Sequence, residues 1–232
     1  MSFSRQSDPR ASFLPPFAQG LGVDSPSFPL VSFDRPGTDR IRAFLASQET
    51  LPFTYPEHGA SRTFPLPDTR PLEKKYKVIH HRFHLGRGMD TFHRARRALL
   101  RWEMFQLGWV LPCWADTPQH EGTIFGILSR VMGVWTVQAC RILLRFDDPV
   151  ENATGIARCG VAYGTTPGHA IMGEERLSVE WNPLDQSVTY EIYSFSRESQ
   201  LLVKIVGFHL RAVQKRFGEE SYQAMIRAAN TP

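Results

Sequence analysis

The chain is poor in cysteine and has no long hydrophobic run among its 232 residues. Cys113, Cys140 and Cys159 are odd in number and form no Cys-x-x-Cys pair, which argues against a disulfide framework and a thiolate zinc site. No stretch provides the roughly 20 apolar residues of a transmembrane helix, and residues 1–20 lack the apolar core of a secretory signal. We therefore expect a cytoplasmic protein whose cysteines are reduced packing residues.

The short motifs of common enzyme classes are also missing. The chain has no Gly-x-Ser-x-Gly elbow, no His-Glu-x-x-His and no phosphate-binding Gly-Lys-Ser/Thr. His80, His81 and His84 are close in sequence, but on a strand residues four apart are separated by about 13 Å and odd spacings face opposite ways. They cannot share one ion, and we predict neither a metal site nor a cofactor.

Charge is distributed unevenly along an otherwise ordinary composition of 42% hydrophobic and 22% charged residues. Residues 73–106 hold nine Lys or Arg against three acids. Arg94, Arg97 and Arg101 are three and four apart, which places them on one helix face. This face is a candidate anion-binding surface, although a solvated helix face has the same pattern. Without an aromatic-interleaved motif, nucleic acid is a disfavoured partner.

Proline marks the N-terminal part of the chain, since eleven of the 17 prolines lie between Pro9 and Pro71. Such a stretch favours extended backbone with few hydrogen bonds. Within it, only Thr38–Glu49 has apolar residues at helical spacing. We predict an irregular or mobile arm over residues 1–37 and one domain over residues 38–232.

After residue 75 the pattern of apolar residues becomes regular. A helical period follows Asp90 up to Gly108 and returns over residues 198–229, where Gly218 is expected to kink or split the helix. Between them, short connections imply antiparallel neighbours. The predicted strands cover residues 76–85, 122–130, 133–146, 156–164, 175–182 and 187–196. This order predicts an α+β fold in which a curved antiparallel sheet grips the long C-terminal helix.

A glycine-rich segment, Tyr163–His169, precedes Gly173-Glu174-Glu175-Arg176. An imidazole titrates near neutrality, so His169 with Glu174 or Glu175 could act as a general base with an orienting carboxylate. A rigid hairpin connection with solvated charges is the alternative.

Alternation along the strand that follows assigns its side chains to two faces. Glu175 shares the inward face with three apolar residues, Leu177, Val179 and Trp181. The other face carries Arg176, Ser178 and Glu180, which are expected on the outside.

Several ordered segments resemble a known family. They are Tyr55–Ala60, His81–Gly88, Trp102 with Gly108-Trp109, Ala162–His169, Gly173–Arg176 and Tyr193–Arg197. They are similar to the domain-of-unknown-function family numbered nineteen-ninety, also called uncharacterised protein family 0548. The resemblance covers roughly residues 40–229 and implies no activity or catalytic residues. It does imply a relation to the START-like helix-grip superfamily, whose members bind lipids, hormones or aromatic metabolites beneath the C-terminal helix.

Three functional hypotheses follow. The first is a binding protein for a small, largely apolar molecule held between sheet and helix, with His169 or Glu175 at the mouth. Its candidate ligand-binding residues are Tyr163, Leu177, Val179, Trp181, Ile205, Phe208 and Ala212. The second is a small hydrolase, isomerase or cyclase that uses His169 with Glu174 or Glu175. The third is an interaction module for nucleic acid or lipid that uses the basic helix at residues 90–106.

Overall fold

The computed structural model describes residues 26–63, 69–149, 155–198 and 200–231, and for residues 200–211 only the helical backbone. The strands are β1 (Leu30–Ser32), β2 (Lys77–Arg87), β3 (Val110–Pro112), β4 (Ile124–Val131), β5 (Val134–Asp148), β6 (Ala157–Thr165), β7 (Ile171–Trp181) and β8 (Ser187–Glu198). The helices are α1 (Thr38–Ala46), α2 (Arg70–Glu73), α3 (Met89–Leu100) and α4 (Gln200–Asn230), with a 3₁₀ turn at Glu103–Phe105.

The strands form one antiparallel sheet in the order β2-β8-β7-β6-β5-β4-β3. β1 pairs with the first residues of β5, and β6 pairs with its later residues. The sheet curls around α4, so the predicted α+β helix-grip fold is confirmed. Among the described residues, no helix combines the length and apolarity needed to cross a bilayer.

The inner face of the sheet, which faces α3 and α4, carries the main core. Period-two alternation puts Leu177, Val179 and Trp181 of β7 on this face, where they belong to one buried cluster with Met225 and Ala229 of α4. Helical spacing brings one apolar face of α3 into the same cluster. This end of the space between sheet and helix is filled by protein side chains.

The outer face of the sheet is covered by the N-terminal third of the chain. Ile41, Phe44 and Leu45 of α1 pack against β4 and β5. Tyr55, Leu72 and Tyr76, which precede β2, pack against Tyr193 and Phe195 of β8 in a second buried cluster. The central strands are therefore buried on both faces.

The predicted elements differ from the observed ones at a few points. β7 begins at Ile171, four residues before the predicted start, so Gly173-Glu174-Glu175-Arg176 lies inside a strand. α3 ends at Leu100 because Trp102 has a left-handed φ of 56° and a 3₁₀ turn follows. Gly218 does not split α4. In the predicted arm, Leu30–Ser32 is paired with the sheet, and residues 1–25 lie outside the described residues.

Two glycines should respond oppositely to alanine. A Cβ at Gly160 would lie 2.2 Å from Cζ of Phe146 and 2.8 Å from the carbonyl oxygen of Leu177, so Gly160→Ala should lower the free energy of unfolding by about 2 kcal/mol. At Gly218 no atom lies within 4 Å of the added carbon, and Gly218→Ala should raise it by up to about 1 kcal/mol. Urea denaturation measures both, and equal effects would contradict the packing described.

Candidate functional site

Strand β7 carries charged side chains on both faces of the sheet. Because successive residues alternate, Glu174 and Arg176 point to the outer face, and Glu175 points to the inner face beside Tyr163. The carboxylates on the two faces have different hydrogen-bond partners, and this difference identifies the candidate site.

On the outer face, Glu174 is held by the segment that crosses the sheet. The hydroxyl of Tyr55 donates to Oε2 over 2.9 Å, and the backbone amides of Gly59 and Ser61 donate over 2.8 and 2.9 Å. The Ser61 hydroxyl donates as well. Burial, reinforced by Glu174, raises the pKa of Tyr55, so the phenol remains a donor. Glu174 thus fastens residues 55–61 to the sheet.

Arg176 continues this network from a fully buried position. Its guanidinium donates to the carbonyls of Ser61 and Thr63 and, over 2.6 Å, to Glu191. Burial disfavours the charged form of Glu191, but the hydrogen bond from Arg176 and the charges around it prevail and lower its pKa. Arg82 also donates to Glu191, over 2.7 Å.

Glu180 completes the outer network, because Arg82 and Arg158 donate to its two oxygens over 2.7 and 2.9 Å. Arg176, Ser178 and Glu180 lie on the outer face, as expected. The expectation that they are exposed to solvent is wrong, since all three are buried. Covered carboxylates must be paired, and each outer-face carboxylate described here has donors.

On the inner face, Glu175 has a different environment. It accepts a hydrogen bond from the hydroxyl of Tyr163, directly across from it on β6. Within the described part of the chain, no ion pair reaches it. Burial therefore raises the pKa of Glu175 from 4.5 to about 7, and the Tyr163 hydrogen bond offsets only part of this effect. Burial, with the charge of Glu175, also raises the pKa of Tyr163.

Aromatic rings surround one side of this pair. The Tyr163 ring meets Phe125 edge-on at 5.0 Å between centroids. Phe105 lies 6.3 Å from Tyr163 and stacks at 5.2 Å on Phe217 of α4. The acid and phenol therefore form a polar group against an apolar, aromatic surface.

Three contacts of α4 show how this helix runs along the inner face of the sheet. Gln214 contacts Ser196, Ser221 contacts Tyr190, and Asn230 contacts Leu85. The helix thus runs from the end of the sheet near Glu175 towards the end near Trp181. The last turns fill the Trp181 end, and Gln214 lies at the other end, level with Gly173.

The predicted ligand-binding residues fall into three groups. Tyr163 contacts Glu175, whereas Leu177, Val179 and Trp181 lie in the packed core cluster. Ala212 is exposed, which corrects the expectation that it faces the sheet. The remaining two, Ile205 and Phe208, have side chains outside the described residues.

His169 does not join either carboxylate. Its Nδ1 lies 3.1 Å from both the carbonyl oxygen and the amide nitrogen of Ile171. Burial lowers its pKa from 6.5 to about 4, against a smaller opposing effect of the Ile171 carbonyl. Glu174 and Glu175 have other partners on opposite faces of the sheet. The hydrogen bonds of the described residues thus correct the expectation of a His169 base with an orienting carboxylate.

The glycine-rich loop before His169 is held by packing. The amide of Gly168 donates to Gln48 over 2.9 Å, and its carbonyl accepts from Ala139 over 3.1 Å. A Cβ at Gly168 would lie 2.6 Å from the Phe44 ring. The glycine is needed for the close approach of α1.

The basic face of α3 is only partly free. Arg94 donates to the carbonyl of Ala229 over 2.7 Å and so binds the end of α4. Arg97 and Arg101 are exposed. An open groove of about 390 Å³ lies on this helix. It is lined by Asp90, His93, Arg94, Arg96 and Arg97.

Comparison with known proteins identifies relatives along most of the chain. The family described as a domain of unknown function (DUF1990) matches residues 54–224. A UPF0548 protein of Dictyostelium discoideum is 29% identical over 208 residues, which cover 86% of this chain and 95% of that protein. A UPF0548 protein of Deinococcus radiodurans is 31% identical, covering 84% of this chain and 97% of its own.

Solved structures are similar at lower identity. A hypothetical protein from Helicobacter pylori aligns with a TM-score of 0.46 at 8% identity, over 77% of this chain and 96% of its own. A truncated norcoclaurine synthase from Thalictrum flavum aligns with a TM-score of 0.41 at 13% identity, over 68% of this chain and 95% of its own.

The outer network predicts that Glu174→Gln destabilises the fold. The amide would turn an NH₂ group towards donors, leaving buried groups without acceptors, and should cost about 3 kcal/mol of unfolding free energy. Chemical denaturation checks this, with the exposed Glu49→Gln as the control. A Glu174→Gln variant as stable as the control would refute the network.

The inner face predicts the opposite outcome for Glu175→Gln. The pKa of Glu175 in the folded protein, about 7, lies above its ordinary 4.5, so wild-type stability is full below pH 4.5 and falls as the pH rises through 7. Glutamine removes this loss, and the variant should be more stable than wild type by about 2 kcal/mol at pH 8 and equal to it at pH 4.

Denaturation at both pH values tests this, with the exposed Glu219→Gln as the matched control on α4. A Glu175→Gln variant that is less stable than wild type at pH 8 would contradict the unpaired carboxyl.

Proposed function

This chain belongs to the family of the domain of unknown function DUF1990, and we propose that it binds a small, largely apolar molecule through one polar group. The observation that carries the proposal is the Glu175–Tyr163 pair. It lies on the inner face of a helix-grip fold, where the rest of β7 is apolar core or glycine. Ligand pockets have this composition, with few polar groups on an apolar wall.

The energetic cost of placing Glu175 on the inner face supports a functional role for this residue. A carboxyl without a cation on a buried face destabilises the folded state, and an apolar residue there would not. Groups held at such a cost are enriched at binding and catalytic sites. The outer carboxylates Glu180 and Glu191 show that this chain pairs its buried acids where they serve structure.

The sequence of the first turns of α4 agrees with an apolar ligand. Seven of the ten residues from Leu201 to Leu210 are apolar. Ile205 and Phe208, at helical spacing, remain predicted lining residues. The ligand would lie against the Glu175–Tyr163 pair, away from the filled end at Trp181.

A cytoplasmic location is part of the same proposal. Cys113, Cys140 and Cys159 are free thiols, and burial raises the pKa of Cys113 and of Cys159 to about 12. Unreactive, unpaired thiols suit a reducing compartment. Fractionation of cells that produce the chain would test the location.

Native mass spectrometry of the mildly purified protein, followed by solvent extraction, tests the binding proposal. We expect a bound small molecule at one equivalent. Because a hydrogen bond to a charged group contributes about 1.5–3 kcal/mol, Glu175→Gln and Tyr163→Phe should each weaken rebinding of that molecule by about 10- to 100-fold. Glu219→Gln is the matched control and should bind normally.

Rebinding that is unchanged in both site variants would refute the assigned site. An empty wild-type protein that also fails to bind an apolar fluorescent dye would refute the proposal itself.

Acid–base catalysis by Glu175 is the second candidate function. A carboxyl with a pKa of about 7 can accept and return protons at neutral pH. Incubation of the identified molecule with the protein separates the candidates. Conversion to a product that stops in Glu175→Gln while retention persists would favour an enzyme, and a molecule recovered unchanged would favour a binding protein.

A further inference from the structure

The hairpin between β4 and β5 presents an apolar side chain at its tip. Val131 pairs with Val134, so Met132 and Gly133 form a two-residue turn, and both have positive φ, 51° and 82°. Glycine or asparagine suits this geometry best. Instead Met132 occupies a strained position and is 77% exposed. The strained backbone at Met132 motivates a hypothesis of function for this turn.

Phe33 lies beside this turn. Ser32, the last residue of β1, is directly across from Trp135 of β5, so the chain leaves the sheet at Phe33 next to Val134. The Phe33 side chain is 51% exposed. Two large apolar side chains thus project from neighbouring strands at one corner of the sheet.

Two arginines flank the same corner. The guanidinium carbons of Arg35 and Arg130 lie 5.7 and 5.5 Å from the centroid of the Trp135 ring. Both arginines are exposed, and one acidic residue, Asp34, is next to Arg35 in the sequence. Arginine and tryptophan, with an apolar body and a polar tip, suit the boundary between water and lipid.

The antiparallel topology places this corner at a particular end of the molecule. β5 begins at this corner, and β6 ends towards the same edge of the sheet, with Thr165 across from Cys140, six residues along β5 from Val134. β7 begins at Ile171 and β8 ends at Glu198 towards the same edge, just before α4 starts. Glu175 is the fifth of the eleven residues of β7 counted from this end. Among the described side chains, the third large apolar one that is exposed, Leu184 at 93%, is in the turn between β7 and β8 at the opposite end.

We propose that Phe33, Met132 and the Arg35–Trp135–Arg130 stack dock this end of the protein on an anionic lipid surface. Met132 and Phe33 enter the acyl boundary, and the two arginines contact lipid phosphates. A polynucleotide would satisfy the arginines but offers no apolar phase to a projecting methionine, so lipid is the partner that fits all the groups. Docking at this end does not depend on the proposed ligand site.

Vesicle co-sedimentation of the full chain tests the proposal. We expect binding to phosphatidylcholine vesicles that contain phosphatidylserine, weaker binding without it, and a decline with added salt. The double variant Phe33→Ser with Met132→Ser should lose at least about tenfold in partitioning. Arg35→Gln and Arg130→Gln should each lose about fivefold on the anionic vesicles only.

Leu184→Ser is the matched control, since it removes an exposed apolar side chain from the other end, and it should bind like wild type. Thermal melts establish that each variant is folded. Wild-type protein that stays in solution with anionic vesicles at low salt would overturn the proposal, as would equal losses in the control. Binding of duplex RNA through the same arginines without vesicle binding would also overturn it.

Discussion

The structure depends on one constraint, the burial of strand β7 on both faces of the sheet. Its outer side chains include charges that cannot be buried alone, and its partners come from segments far away in the chain. Tyr55, Gly59 and Ser61 hold Glu174, and Arg176 binds Glu191 and the Ser61 carbonyl. The segment before β2 is therefore part of the fold, because it supplies the hydrogen-bond partners that these buried charges need.

The same constraint makes Glu175 exceptional. On the face where Leu177 and Val179 are fully buried, a carboxyl has only the Tyr163 hydroxyl as its partner among the described residues. Among the described outer-face acids, Glu180 and Glu191 have arginines and Glu174 has four hydrogen-bond donors, whereas Glu175 has a phenol and aromatic rings. The separation of paired charges outside from one unpaired acid inside is the physical basis of the proposed function.

Much of the fold could be predicted from sequence because period-two and period-3.6 patterns are local. They identified the six longer strands, the long C-terminal helix and the face on which Glu175 lies. They could not identify what covers a face: Glu174 meets Ser61, 113 residues away, and no local pattern encodes that contact. The predicted pairing of His169 with a carboxylate failed for a similar reason, since the ring instead contacts the Ile171 backbone. Leu30–Ser32 escaped prediction because three residues are too few to show a period.

The central claim is that the inner acid is unpaired and the outer acids are paired. Carbon-13 NMR titration of the side-chain carboxyls measures this directly in the folded protein, with Glu175 and Glu191 followed in the same spectra. The account predicts a midpoint near 7 for Glu175 and one below the ordinary 4.5 for Glu191. A Glu175 midpoint at or below 4.5 would reveal a cationic partner on the inner face and contradict the account.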